Sequence, residues 1–307
     1  MRTMPKRQAT RGAGQRWRPI SLITLIPLLW LAACVPVERQ QISVASSTPT
    51  TAVSGPSATP GVQLVTAEPQ STAVPACNES RGTVSRSYLT AKELPGRLYY
   101  TLYLPPCYDQ GEAYPTVYLL HGKSYQDDQW TRLGLPEIMD AGIAAGTLPP
   151  FIVIMPYDKG WEDPDEGRLD YAIVRSLVPW IDKNYKTYKD SGYRAVGGLS
   201  RGAAWAFHLG VDFPGVFGVV GLHSPAFFRG DKREMETMLE ELASMDNTRI
   251  ILDIGDEDPE LNYTTRFESL LTELGIPHSW AVSPGTHTEA YWRDHLAGYL
   301  QAYSQDW

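Results

Sequence analysis

The 307-residue chain is 43% hydrophobic and 11% aromatic, which is enough for one large core or two small ones. Its net charge is −8, and six of its 27 Lys and Arg residues lie within residues 1–33, which hold no Asp or Glu. The rest of the chain therefore carries 21 basic against 35 acidic side chains. Nucleic-acid binding needs clustered Lys and Arg, so this acidic balance argues against DNA and RNA as partners.

The N-terminus predicts an export signal. A basic stretch precedes 14 mostly apolar residues, ISLITLIPLLWLAA (20–33), which are too few to span a bilayer but suit a signal-peptide core. The ending LAAC resembles a bacterial lipobox, in which cleavage precedes the cysteine, here Cys34, and lipid is attached to its sulfur. We expect residues 1–33 to be a lipoprotein-type signal peptide that leaves the protein anchored outside the cytoplasm through Cys34. An ordinary cleaved signal and an uncleaved anchor are the alternatives, and both also export the chain.

Residues 34–76 predict a flexible tether, because they are rich in Ser, Thr and Pro and show no apolar period. From residue 77 the composition becomes globular, so we expect one domain over 77–307. An exported chain can keep cysteines paired, and with Cys34 lipidated, Cys77 and Cys107 are left to form a disulfide. Two free thiols are the alternative. Neither cysteine has a metal-ligand partner at a typical spacing, so no metal is expected.

Seven segments are typical of strands and five of helices. The stretch 97–106 alternates and predicts an outer strand that ends at prolines. The other strand-like runs are 115–122, 151–157, 193–198, 216–224, 249–258 and 279–285, and the helical ones are 135–146, 169–185, 203–213, 263–275 and 291–303. Buried strands that alternate with helices predict an α/β fold with a doubly wound, mostly parallel sheet and no large cap domain.

The segment GGLSRGAAWAF (197–207) places Ser200 between Gly198 and Gly202. A Gly-x-Ser-x-Gly motif is weak evidence alone, but here it lies between a predicted strand and a predicted helix. Such a sharp turn exposes a serine at the carboxyl edge of the sheet, and glycines on both sides relieve the crowding. This placement predicts that Ser200 is a nucleophile.

A serine nucleophile needs a base and an acid that orients the base. His287 lies after the last predicted strand, and Asp258 lies just past the end of the run 249–258. The order Ser200, Asp258, His287 is the order of α/β-hydrolases. Asp256 and Glu257 are alternatives for the acid.

Four separated motifs, YLLHG, GGLSRGA, GDEDP and THTEAYWRDHL, together resemble the "putative esterase" family of α/β-hydrolases, which includes feruloyl esterases, S-formylglutathione hydrolase, enterochelin esterases and mycolyltransferases. The resemblance implies the α/β-hydrolase fold and ester chemistry without a cofactor. It also implies an oxyanion hole formed by the backbone amides of Arg201 and Lys123. His287 keeps the family's spacing to Trp292, but Glu289 stands where many members have tryptophan.

We therefore expect an exported serine carboxylesterase that acts on carbohydrate-linked or phenolic esters of small molecules or polymers through an acyl-enzyme on Ser200. Expected substrate-lining residues are His121, Gly122, Trp130, Trp161, His223 and Trp292, with His121 also shaping its loop. An acyltransferase of the same fold and a non-catalytic glycan-binding lipoprotein are the alternatives.

Overall fold

The computed structural model describes residues 78–160, 163–164, 167–243 and 248–307. All of these residues lie in one compact unit, Pro69–Trp307. The signal peptide, the tether, Cys34, Cys77 and Trp161 fall outside the described residues, so what we expect of them stays a prediction. In the part of the chain that is described, no helix has the length and apolarity needed to cross a membrane.

One eight-stranded sheet forms the centre of the fold. Its strands are β1 (Thr83–Thr90), β2 (Arg97–Leu104), β3 (Thr116–Leu120), β4 (Ile152–Pro156), β5 (Arg194–Leu199), β6 (Val219–His223), β7 (Arg249–Gly255) and β8 (His278–Ser283). They lie side by side in the order β1-β2-β4-β3-β5-β6-β7-β8. The pairs β1–β2 and β2–β4 are antiparallel, and every pair from β4 to β8 is parallel. The predicted mostly parallel sheet is confirmed.

Helices cover both faces of the sheet. They are α1 (Gln129–Arg132), α2 (Leu135–Ala145), α3 (Leu169–Ala172), α4 (Val178–Asn184), α5 (Arg201–Val211), α6 (Asp231–Ala243), α7 (Leu261–Glu273) and α8 (Glu289–Tyr303). A π-helical turn, Ile173–Leu177, joins α3 to α4, so the helix predicted over 169–185 is interrupted. Pro179 has no N–H to donate to the carbonyl four residues earlier, which accounts for the break in the regular α-helical ladder.

The strands are continuously apolar because both faces of the sheet are covered. Every residue of β3 is buried. Successive side chains of a strand point to opposite faces, so Tyr118 and Leu120 join the core under α5, while Val117 and Leu119 join the core under α2 and α8. The parallel strands β3 to β7 thus end at one common edge, where ligand sites of such sheets lie.

Three of these elements, β1, α1 and α6, were missed from the sequence. Strand β1 is exposed at seven of its eight residues, so it lacks the apolar pattern that would have marked it. It lies outside the predicted outer strand, which is β2. Helix α6 buries only one narrow face, with Met235, Leu239 and Leu242 inside.

Candidate active site

Ser200 occupies a sharp turn between β5 and α5, with φ 55° and ψ −120°. Positive φ is strained for a non-glycine residue and is common at nucleophile turns. Two glycines permit the close approach that this turn requires. A Cβ on Gly202 would lie 2.3 Å from the carbonyl oxygen of Leu120, and one on Gly198 would lie 2.3 Å from the carbonyl oxygen of Gly202.

The structure brings Ser200, His287 and Asp258 into one hydrogen-bonded chain. The Oγ of Ser200 lies 2.8 Å from Nε2 of His287. Nδ1 of His287 lies 2.8 Å from Oδ2 of Asp258. The alternative acid, Asp256, instead accepts the amide hydrogen of Gly285 at 2.9 Å. Asp258 follows β7 and His287 follows β8. Both therefore lie at the same edge of the sheet as Ser200, which follows β5.

Asp258 is held as an anion next to the imidazole. Its side chain is fully buried, and its Oδ1 also accepts the amide hydrogen of Glu260 at 2.9 Å. Burial by itself raises the pKa of Asp258, but the hydrogen bonds from His287 and the Glu260 amide outweigh it and leave the pKa below its ordinary value. The indole ring of Trp292 packs edge-on against the His287 ring, with centroids 5.0 Å apart. The imidazole is therefore fixed by both hydrogen bonding and packing.

The loop after β3 lies against Ser200. A Cβ on Gly122 would lie 3.7 Å from the Cβ of Ser200. His121 shapes this loop, because its Nε2 accepts the amide hydrogen of Asp158 at 2.9 Å and so cannot carry a proton. Its Nδ1–H then donates to the carbonyl oxygen of Gly122 at 2.8 Å. Burial lowers the pKa of His121, in keeping with this neutral tautomer.

The direction of the Lys123 amide follows from these contacts. The Gly122 carbonyl oxygen accepts hydrogen bonds from both His121 and the amide of Tyr125, 2.8 Å and 3.2 Å away. In a trans peptide the carbonyl and the next N–H point in opposite directions, so anchoring the Gly122 oxygen also fixes where the Lys123 N–H points. The Arg201 amide lies in the first turn of α5, where helix geometry directs N–H groups toward the N-terminus.

Four of the residues expected to line the substrate site are buried behind it. His121 is 3% exposed, Trp130 1%, His223 0% and Trp292 3%. The Trp130 indole N–H donates to the carbonyl oxygen of Leu120 at 3.1 Å, so this ring supports the end of β3. These side chains stabilise the walls of the site and offer almost no surface to a substrate, which corrects the expectation. Gly122 does lie beside Ser200.

His223 belongs to a buried polar network that the sequence reasoning did not find. Its Nδ1 lies 2.6 Å from Oδ1 of Asp253, and its Nε2 lies 2.7 Å from the hydroxyl of Tyr303. The other oxygen of Asp253 accepts hydrogen bonds from the hydroxyls of Tyr299, at 2.7 Å, and Tyr291, at 3.0 Å. The three tyrosines lie at multiples of four along α8, and that spacing is the signal that could have revealed a shared face.

Arg201 links the turn that carries Ser200 to the segment after β4. Its Nε donates to Oδ2 of Asp158 at 3.0 Å, and the indole N–H of Trp205 donates to the same oxygen at 2.9 Å. Beside this contact a cavity of about 280 Å³ opens, lined by residues that include Leu94, Tyr157, Leu169 and Trp205. The cavity lies at the end of β4, two strands from Ser200, or about 10 Å by the usual strand spacing.

Residues 91–303 match the family model described as "Putative esterase", and the chain belongs to this family. It is 30% identical over 194 residues to an endo-1,4-beta-xylanase/feruloyl esterase of Xylanibacter ruminicola, covering 59% of this chain and 25% of that protein. It is 26% identical over 231 residues to an esterase of Mycobacterium tuberculosis, covering 58% of this chain and 49% of that protein. The chain thus spans half or less of these relatives.

Solved structures share the fold. A ferulic acid esterase superimposes with a TM-score of 0.66 at 23% identity, covering 73% of this chain and 98% of that one. S-formylglutathione hydrolase from Staphylococcus aureus gives a TM-score of 0.60 at 14% identity, covering 73% and 99%. The fold is that of the α/β-hydrolases.

Proposed function

We propose that this protein is a serine carboxylesterase that hydrolyses carbohydrate-linked or phenolic esters through an acyl-enzyme on Ser200. The observation that carries the proposal is the hydrogen-bonded chain from Ser200 through His287 to Asp258, with both contacts at 2.8 Å. An unactivated serine is a weak nucleophile, and this arrangement supplies its base and the group that orients the base.

In the proposed reaction, Nε2 of His287 takes the Ser200 proton as Oγ attacks the ester carbonyl carbon. Asp258 keeps the other ring proton on Nδ1 and stabilises the imidazolium. The amides of Arg201 and Lys123 donate to the oxyanion of the tetrahedral intermediate, where one such donor contributes about 3 kcal/mol. The intermediate collapses as His287 gives its proton to the leaving alcohol. Water then attacks the acyl-enzyme with His287 as base, and His287 returns that proton to the Oγ of Ser200 as the carboxylic acid is released.

The substrate class is supported by relatives and by the shape of the site. Two similar proteins carry feruloyl or ferulic acid esterase in their names. Asp258 follows β7 and His287 follows β8, and both of these strands lie on one side of β5. The cavity at the end of β4 lies on the other side of β5. Because the leaving alcohol must lie next to His287, this cavity suits the acyl part of an ester.

We also propose that the protein is exported and attached to the outer face of the bacterial cell membrane through a lipid on Cys34. The support is the basic stretch, the apolar run of residues 20–33 and the cysteine that follows it. Metabolic labelling with a fatty acid should tag the protein, and Cys34→Ala should remove the tag. An unlabelled wild type would contradict lipidation and leave the two alternatives, an ordinary cleaved signal peptide and an uncleaved anchor.

A fluorophosphonate probe tests the serine mechanism. We expect it to label the wild type and not Ser200→Ala, because labelling needs an activated hydroxyl. Ser224 is a buried serine with positive φ just after the neighbouring strand β6, and it is still present in this variant. Loss of the label in Ser200→Ala therefore shows that the probe reacts with Ser200. Assaying acetyl, feruloyl and longer-chain esters with and without added alcohol acceptors then separates hydrolysis from acyl transfer. Substantial ester turnover by Ser200→Ala would contradict the proposal.

A further inference from the structure

Gln129 joins the two loops that meet at Ser200. Its side chain is fully buried at the start of α1. Its Oε1 accepts the amide hydrogen of Gly122 at 2.8 Å. Its Nε2 donates to Oε1 of Glu289 at 3.2 Å. The partners fix the orientation of the amide, because the Gly122 N–H requires an oxygen and the Glu289 carboxylate requires an N–H.

Glu289 connects this contact to the base. It lies two residues after His287 and in the first turn of α8, where a negative charge is favoured by the helix dipole. Arg132 also reaches Glu289, with Nη1 of the guanidinium 3.2 Å from Oε1. The carboxylate is therefore held in place and presents a fixed acceptor to Gln129. One buried amide thus spans the loop after β3 and the beginning of α8.

We propose that Gln129 is a positioning residue for the oxyanion hole, an inference that rests on the proposed esterase function. Gly122 is held on both sides, through its N–H by Gln129 and through its C=O by His121. Together the two contacts set the direction of the Lys123 amide before substrate arrives. Without Gln129 the peptide that precedes Gly122 loses its anchor, so the two hydrogen bonds at the Gly122 carbonyl oxygen alone hold the loop, and the Lys123 N–H can shift from its position. A displacement of about 1 Å at a reacting centre costs on the order of a hundredfold in rate.

The test uses four variants: Gln129→Ala, Gln129→Glu, Glu289→Gln and the double swap Gln129→Glu/Glu289→Gln. We expect Gln129→Ala to lower kcat by about tenfold to a hundredfold with little change in KM, because the loss falls on the transition state. The affinity for a trifluoromethyl ketone, which forms a tetrahedral oxyanion on Ser200, should fall by the same factor. A residue that only stabilised the fold would not lower kcat and the inhibitor affinity by the same factor.

The swap tests the contact itself. Gln129→Glu places two carboxylates face to face, so its activity relative to wild type at the same pH should be low at neutral pH and should rise at lower pH, where the pair shares a proton. Glu289→Gln alone should be mild, because an amide oxygen still accepts from Gln129. In the double variant the new carboxylate at position 129 accepts both from the Gly122 N–H and from the new amide at position 289. Its kcat and inhibitor affinity should therefore return toward wild type without the acidic shift. Gln126→Ala, at a glutamine in the same loop, is the matched control and should keep wild-type kinetics.

Melting temperatures are measured for every variant so that kinetic losses are compared among folded proteins. Wild-type kcat and inhibitor affinity in a folded Gln129→Ala would overturn the inference while leaving the esterase function intact. A double swap no better than Gln129→Glu would also overturn it. A wild type that hydrolyses none of the esters would overturn the proposed function, and this inference with it.

Discussion

The amide of Ser200 donates a 2.9 Å hydrogen bond to the carbonyl oxygen of His223, and this bond ties the turn that carries Ser200 to the end of β6. His223 is in turn held by Asp253, whose carboxylate binds two tyrosines of α8. Because α8 begins two residues after His287, the buried network connects the turn at Ser200 to the helix that follows His287. The turn geometry therefore depends on polar contacts beneath the site.

Tyr299→Phe should destabilise the protein. It removes the shortest hydroxyl donor, at 2.7 Å, to the buried carboxylate of Asp253. Leaving a buried acceptor short of a partner costs about 1–3 kcal/mol, so the free energy of unfolding from urea titration should fall by that amount. Tyr188→Phe, at a half-exposed tyrosine, is the control and should change it by less than about 0.5 kcal/mol. Equal effects of the two substitutions would show that the network contributes little.

Asp258→Asn should inactivate the enzyme far more than Asp256→Asn. The amide at position 258 would favour the wrong tautomer of His287, and such a change in a serine triad costs about 10⁴ in kcat. Asparagine at 256 still accepts from the Gly285 amide, so we expect a change of only a few-fold, checked with a p-nitrophenyl ester. Similar losses in both variants would contradict the assignment of Asp258 as the acid.

The parallel sheet could be predicted because burial on both faces gives long apolar runs, as in β3 and β4. Strand β1 could not be predicted in this way, since an exposed edge strand needs no apolar pattern. Ser200, Asp258 and His287 could be placed at one edge because each follows a strand, and the parallel strands end together. The sequence favoured Asp258 and left Asp256 as an alternative, and the contact geometry separates the two.

Side-chain burial could not be predicted from proximity in sequence. Trp130 lies in the segment after β3 and His223 is the last residue of β6, where a substrate-lining residue could lie, but both turn inward to hydrogen-bonding partners. Gln129 gave no signal, because its role depends on Glu289, which is 160 residues away in the chain. Polar pairs that are distant in sequence depend on the packing of the whole fold, so a local sequence pattern does not predict them.

Gly202→Ala should be strongly destabilising, whereas Gly298→Ala should stabilise. At position 202 the new Cβ would lie 2.3 Å from the backbone oxygen of Leu120, so α5 would have to move away from β3. At position 298, inside α8, a Cβ meets nothing within 4 Å. Alanine in an open helical position gains about 0.5–1 kcal/mol over glycine. Thermal unfolding of both variants measures the contrast, and a neutral Gly202→Ala would mean that the turn is less crowded than the structure indicates.

Reduction should destabilise the domain if Cys77 and Cys107 are bridged. A disulfide that closes a loop of about 30 residues stabilises by about 3–4 kcal/mol in the chain-entropy model. We therefore expect the melting temperature to fall in reductant. The double variant Cys77→Ser/Cys107→Ser should melt at the lower temperature with or without reductant. An unchanged wild-type melting temperature in reductant would contradict the predicted bridge between Cys77 and Cys107.

The stabilising effect of His208 should disappear as the pH rises. His208 lies between two carboxylates, with Nδ1 2.8 Å from Asp212 and Nε2 2.9 Å from Asp231. Burial lowers its pKa, but the hydrogen bonds to the two carboxylates outweigh burial and raise the pKa to about 9. The folded protein therefore holds a proton that the unfolded chain releases near its ordinary value of 6.5. The contribution is fully present below that value and is lost as the pH rises through about 9.

His208→Gln isolates this contribution, because glutamine keeps a hydrogen bond to one carboxylate but does not titrate. The free energy of unfolding of wild type and variant is measured by urea titration at about pH 6 and about pH 9.5, on either side of the shifted range. We expect wild type to be the more stable at the lower pH and the difference to shrink at the higher one, with each unit of pKa shift corresponding to about 1.4 kcal/mol. A difference in unfolding free energy that stays constant over this range would show that His208 is neutral in the folded protein. In that case it would not form ion pairs with Asp212 and Asp231.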